Sequence, residues 1–106
     1  MKTHTETCAD KLKVLADTTR LAVLESLMDC PKLVSELLEI LRIEQSLLSH
    51  HLSQLREAGL VESTREGKAM RYQLAPEVST ASTGKALDLG CCQLSFPSRS
   101  MKRPTR

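Results

Sequence analysis

Gln45 to Leu74 reads QSLLSHHLSQLREAGLVESTREGKAMRYQL, and the hydrophobic period changes once within it. Up to Gly59, Leu48, Leu52 and Leu55 recur at three- and four-residue spacing, the stripe of an amphipathic helix. Gly59 then stands where a helix closes through a left-handed residue, a conformation that costs glycine nothing. Beyond it the pattern alternates, with Met70, Tyr72 and Leu74 pointing one way and Arg71 and Gln73 the other. Glu66-Gly67-Lys68 separates two such runs, as the turn of a hairpin does. A helix that runs directly into a basic hairpin narrows the fold class sharply.

Reading outward toward the amino terminus, LVSELLEIL (33–41) predicts another helix with Leu37, Leu38 and Leu41 inward. Only Arg42-Ile43-Glu44 separates it from the helix beginning at Gln45. Asp17 is a good N-cap for an earlier helix with Leu21, Leu24, Leu27 and Met28 on one face. Pro31 disfavours helical geometry at Cys30, so that helix is expected to end there. CADKLKVLA (8–16) predicts a short first helix. On the other side, APEVSTASTG (75–84) reads as a connector and KALDLGCCQL (85–94) as a last short helix, weakened by Gly90. SFPSRSMKRPTR (95–106) is basic and Pro-rich. The expected organisation is a DNA-binding and dimerisation domain over residues 1–96 and a disordered basic tail over 97–106. The fold expected is mainly α with a small β-hairpin, a winged helix-turn-helix.

That fold carries a mechanism. The helix from Gln45 to Ala58 suits the major groove, with its first residues against base edges. Gln45, Ser46, Ser49, His50 and Gln54 fall on the side opposite the leucine stripe. A polar side of this kind is usually only a solvated face. Arg65, Lys68 and Arg71 on the hairpin strengthen the DNA reading, because they are placed to meet flanking phosphates or the minor groove. His50 and His51 are adjacent and cannot share one helix face, so one is expected to meet DNA while the other packs or caps. Residues 1–59 carry seven Lys/Arg against nine Asp/Glu, and residues 60–106 eight against four, so the basic half is the one holding the hairpin. With 106 residues, one Phe, one Tyr and no Trp, the chain makes one small domain with an aliphatic core. No apolar run approaches the roughly 20 residues that span a bilayer, and MKTHTETCADKLK lacks the apolar segment of a signal peptide. A cytoplasmic protein with no membrane partner is expected.

LADTTRLAVLESL (15–27) together with EQSLLSHHLSQLREAGLVESTREGKAMRYQL (44–74) resembles the ArsR/SmtB repressors, the metal- and metalloid-sensing winged-helix dimers of bacteria. The resemblance covers about residues 15–74 and is most specific in SHHLSQLREAGLV and REGKAMRYQL. It implies a homodimer built on the first and last helices, bound to an inverted-repeat operator in double-stranded DNA and released by an inducer. Three departures stand out. Thr18 occupies a position where the family often has Pro. Arg42-Ile43-Glu44 stands where Gly-Leu-Ser is usual, so Glu44 replaces a good N-cap and brings negative charge toward phosphate. The pair of third-helix cysteines typical of arsenic sensors is missing, because KLVSELL (32–38) has no thiol.

An inducer site must then lie elsewhere. The four cysteines form no CxxC spacing, which excludes a zinc ribbon or a thioredoxin-like motif. Burial as a small hydrophobe accounts for a single cysteine such as Cys30, but it gives no reason for Cys91 and Cys92 to be adjacent. Soft thiolates select arsenite or antimonite over hard cations, and three are preferred. Cys91 and Cys92 supply two, with the third from Cys8 or Cys30. Cys8 is favoured, since the first helix should pack on the last at the dimer interface, from the same or the other subunit. Three alternatives use the same residues. One is a redox- or sulfide-responsive repressor, in which an intramolecular disulfide needs a partner such as Cys8, because a ring between neighbours is strained. Another is a zinc or cadmium sensor with His4 and Cys8 four residues apart. The last, a dithiol oxidoreductase, lacks both the motif and an activating partner, so no enzyme is expected.

Overall fold

A computed structural model describes residues 4–80 and 86–96. In chain order it contains α1 (His4–Leu15), α2 (Thr18–Leu27), β1 (Lys32–Leu33), α3 (Val34–Leu41), α4 (Gln45–Glu57), β2 (Val61–Glu66), β3 (Ala69–Leu74), β4 (Ser79–Thr80), β5 (Ala86–Asp88) and β6 (Gln93–Ser95). Two antiparallel three-stranded sheets result, ordered β1-β3-β2 and β4-β5-β6. The expected tail, residues 97–106, lies outside the described residues.

Helix α2 starts where Asp17 releases it. The Asp17 carboxylate accepts from the backbone N–H groups of Thr19 (2.8 Å) and Arg20 (3.0 Å), satisfying two donors that the first turn leaves open. The Arg20 bond is the main reason the carboxyl sits below its ordinary pKa; burial opposes it, and the nearby His51 ring, the Thr19 N–H and the Arg20 charge add to it. A depressed folded pKa stabilises fully above the unfolded carboxylate value, and the benefit is lost as pH falls through the folded value. Asp17→Ala should therefore lower stability at neutral pH by about 0.5–2 kcal/mol. Asp17→Asn should keep most of the cap while removing its acid sensitivity. Thermal melts at neutral and acid pH check both, and equal melting points for Asp17→Ala and the wild type would count against the cap.

α2 ends at a Met28 cap, two residues earlier than Pro31 alone suggests. Past Pro31, Lys32 and Leu33 pair with Tyr72 and Arg71 as β1, a strand too short to leave a period in the sequence. Glu36 accepts from the Leu33 N–H at 2.7 Å, and this one-sided cap starts α3. Arg42 ends α3 in the left-handed region at φ 57°, ψ 47°, strained geometry at the position where the family pattern has glycine. Glu44 caps α4 without a side-chain hydrogen bond, so this departure from the family pattern does cost the helix a cap.

The helix-to-hairpin junction follows the sequence closely. Leu48, Leu52 and Leu55 are buried beneath α4, and Gly59 takes φ +76°. Gly67, at φ +62°, is the first residue of a two-residue loop closed by Glu66 opposite Ala69, the order of a type II′ turn. Val23, Leu24, Leu27, Leu37, Leu60, Val61 and Tyr72 join the α4 leucines in one core. This is a winged helix-turn-helix.

The expected last helix is not formed. Residues 86–95 fold as the hairpin β5–β6, with Leu87 opposite Leu94. The Asp88 carboxylate accepts from the Gly90 N–H at 2.8 Å, and Gly90 lies at φ +92°. The Leu89 N–H donates to the Cys92 carbonyl at 2.8 Å. A local side-chain bond of this kind competes with helix formation and favours a turn. Leu87 and Leu89 are fully buried in the common core. Their two-residue spacing is the strand signal in this stretch.

Candidate DNA interface and thiol site

α4 presents Gln45, Ser46, Ser49 and His50 as exposed residues, with Gln54 half-buried. His51, next to His50, is turned inward and is 7% exposed. The two histidines therefore divide as their adjacency requires. Arg65 and Lys68 are exposed on the hairpin. Arg65 lies opposite Met70 and so shares the face of Met70 and Tyr72, whereas Arg71 lies opposite Thr64 on the other face.

Arg71 also has a partner. Its Nε and second guanidinium nitrogen each donate to a Glu66 carboxylate oxygen at 2.8 Å. This two-pronged bond depresses the Glu66 pKa and raises that of Arg71. Arg71 is thus already committed to a partner within the hairpin. A groove of about 480 Å³ between α3, α4 and β3 brings Gln45 and Ser49 together with Lys68. Arg56 also lines it, holding the Tyr72 hydroxyl at 3.3 Å. Sequence reasoning passed over Arg56; its signal was a cation in the last turn of α4, where the helix dipole favours positive charge.

The second constellation joins the two ends of the described chain. Cys8 on α1 and Cys91 in the β5–β6 turn are linked as a disulfide with Cα atoms 5.8 Å apart, across a sequence separation of 83. Cys92 keeps a free thiol, its sulfur 3.3 Å from that of Cys8 and 4.0 Å from that of Cys91. All three sulfurs lie within 4.8 Å of one another and are half-buried. The turn explains how neighbours can converge, since it bends Cys91 and Cys92 toward one point instead of spreading them around a helix. Cys8 comes from the same chain, and the Lys11 ammonium, one turn along α1, donates to the Leu89 carbonyl at 3.3 Å. Cys30 is not in the cluster: it is exposed, not buried as a small hydrophobe, and its sulfur lies 3.3 Å from Lys32 Nζ. The side chain of His4 lies outside the described residues. No helix among the described residues is long and apolar enough to cross a membrane.

Residues 17–63 match the family described as "Bacterial regulatory protein, arsR family". The chain is 35% identical over 100 residues to a "Probable mercury resistance operon repressor" of Streptomyces lividans, covering 85% of this chain and 78% of that protein. It is 39% identical over 67 residues to the "Arsenical resistance operon repressor" of Escherichia coli, covering 62% of this chain and 57% of the relative. The chain thus spans little more than half the length of that second protein. Among solved structures, a "homodimeric winged helix-turn-helix DNA-binding domain" from Mycobacterium bovis superimposes with a TM-score of 0.65 at 30% identity, over 69% of this chain and 68% of that one.

Proposed function

The chain belongs to the arsR family of bacterial regulatory proteins, and on that premise we propose that it is a homodimeric repressor that leaves operator DNA when trivalent arsenic or antimony binds Cys8, Cys91 and Cys92. The family is one of transcriptional regulators, not of enzymes. The observation that carries the inducer is the convergence of three sulfurs, with no carboxylate or imidazole in the group among the described residues. An all-sulfur set is soft and favours thiophilic ions over hard cations, and three donors leave zinc one short of its usual four. In the reduced protein a three-coordinate metalloid would tie α1 to the β5–β6 turn. In a dimer, that arrangement releases DNA if it holds the two recognition helices at a spacing the operator does not match.

On DNA, α4 would enter the major groove, with Gln45, Ser46, Ser49, His50 and Gln54 toward base edges and Arg65 and Lys68 toward phosphates. Arg71 reaches phosphate only by exchanging its bond to Glu66. Ser49→Ala and His50→Ala should each keep the fold and lose about 1–3 kcal/mol of sequence discrimination. Footprinting on the operator checks this, and unchanged preference in both variants would rule the assignment out. The operator should be a pseudo-palindrome with half-sites one helical turn apart or a multiple.

One specific observation favours a second reading: the Cys8–Cys91 disulfide itself, with Cys92 adjacent. Oxidation would then be the signal, and it would remove two of the three donors. Operator-release titrations of the reduced protein with arsenite, antimonite, mercuric ion, cadmium, zinc and peroxide separate these readings. Arsenite or antimonite should act at the lowest concentration. Release by peroxide alone would make the protein a redox repressor, and release by mercuric ion alone would align it with its Streptomyces relative.

A further inference from the structure

Among the described residues His51 is the buried polar one, and the sensing and DNA-reading roles above leave it without a task. Its Nδ1 accepts from Arg20 Nε at 3.0 Å. In this bond Nδ1 is the acceptor, which leaves Nε2 as the nitrogen that can carry the ring proton. The same guanidinium donates through a terminal nitrogen to the Val14 carbonyl at 3.1 Å. The backbone of Arg20 is in turn held by Asp17, the cap of α2. One side chain thus touches three elements: α1 through Val14, α2 through its own backbone, and α4 through His51.

The ends of this bridge are significant. Val14 lies six residues beyond Cys8 on the same helix, about 9 Å along a rigid rod. Its carbonyl is among those of the last turn, which lack a partner within the helix and accept from outside. His51 is the immediate neighbour of His50, on the opposite side of α4 from the exposed Gln45, Ser46 and Ser49.

We propose that Arg20 is a positioning residue that couples the thiol site to the recognition helix, transmitting displacement of α1 at Cys8 to α4 through His51. The inference rests on the reading of Cys8, Cys91 and Cys92 as the inducer site. A guanidinium is planar with its donors at fixed angles. The fork keeps both bonds with Cys8 already held against the β5–β6 turn, so if α1 sits differently when the reduced site is empty and returns when a ligand binds, the guanidinium must either give up one acceptor or carry α4 with it. A buried acceptor left without its donor is unfavourable, so the cheaper response is for α4 to follow. A lysine, with one point of charge and no fork, cannot span both acceptors.

The test compares operator affinity with and without saturating arsenite in the reduced full chain. In the wild type the ratio should fall in the range of about 5- to 150-fold usual for coupled sites. Arg20→Gln and Arg20→Lys should bind arsenite with unchanged stoichiometry, read from thiolate–arsenic absorption, yet lose that ratio. His51→Asn, whose amide oxygen can stand in for Nδ1, should retain it, and His51→Leu should not. A purely structural Arg20 would lower the melting temperature and leave the ratio alone. If Arg20→Gln releases DNA by the wild-type factor, the coupling role is wrong and the sensor reading stands. If the wild type keeps its operator in arsenite, both fall. Should the Arg20 variants fail to fold, nitrogen NMR of the wild-type His51 ring decides the question: Nδ1 must keep its hydrogen-bonded signal through arsenite binding and release, and a change to the unbonded position in the released protein, meaning that the bond broke and did not carry α4, overturns the proposal.

Discussion

Replacing Cys91 and Cys92 together by serine should leave operator binding at the wild-type level and abolish the response to arsenite. The cluster then retains one thiol, Cys8, and two hydroxyls, which are hard ligands that stay protonated at neutral pH. Driving a two-state equilibrium from 1:99 to 99:1 takes about 5.5 kcal/mol of differential binding, and a single thiolate has no second anchor with which to favour one arrangement. Operator binding should survive because both cysteines sit in the β5–β6 turn, while the proposed base contacts are on α4. The single substitutions should weaken the response in the same direction, Cys8→Ser included, and Cys30→Ser should have no effect. Fluorescence anisotropy on labelled operator checks this. Release of the double variant at the wild-type arsenite concentration would remove the pair from the sensor.

Leu55→Ala should damage the fold severely. Leu55 is fully buried beneath α4, and its removal leaves a cavity in the core that α2 and the hairpin share. Such truncations cost about 2–5 kcal/mol, against a total stability of about 5–15 kcal/mol for a small domain. At about 4–8 °C per kcal/mol for a domain near this size, the melting temperature should fall by at least about 8 °C. Ile40→Ala provides the control, because Ile40 is 50% exposed and surface changes usually stay within about 0.5 kcal/mol. Equal melting points for the two variants would mean that the core is not built as described.

The winged helix was legible because its signals are periodic and local. Leu48, Leu52 and Leu55 announce α4, Gly59 ends it, and the alternation around Gly67 gives the hairpin. The amino-terminal Asp17 cap was equally visible. The β5–β6 hairpin was not, because KALDLGCCQL is short and offers both a helical and a strand reading. Leu87 and Leu89 are two residues apart, and the Asp88–Gly90 bond decides for a turn. That error also moved the cysteines, from a supposed interface helix to a turn packed on α1 of the same chain.

The thiol cluster was half legible. The adjacency of Cys91 and Cys92 is a sequence fact that burial does not demand, and it singled them out correctly as a pair that converges. Their partner Cys8 was favoured only through the expected packing of the first helix on the last, since a contact across 83 residues leaves no mark in a single sequence. Arg20 and His51 were invisible as a pair for the same reason: each reads as an ordinary helix residue until the packing of α2 against α4 brings Nε to Nδ1.

The most direct test of the sensor is to map alkylation of the four cysteines by mass spectrometry in the reduced, operator-bound protein, before and after arsenite. The account predicts that arsenite protects Cys8, Cys91 and Cys92 together, at the concentration that releases the DNA, while Cys30 stays reactive throughout. Release of the operator with any of those three still open to alkylation, or with Cys30 protected, would contradict it.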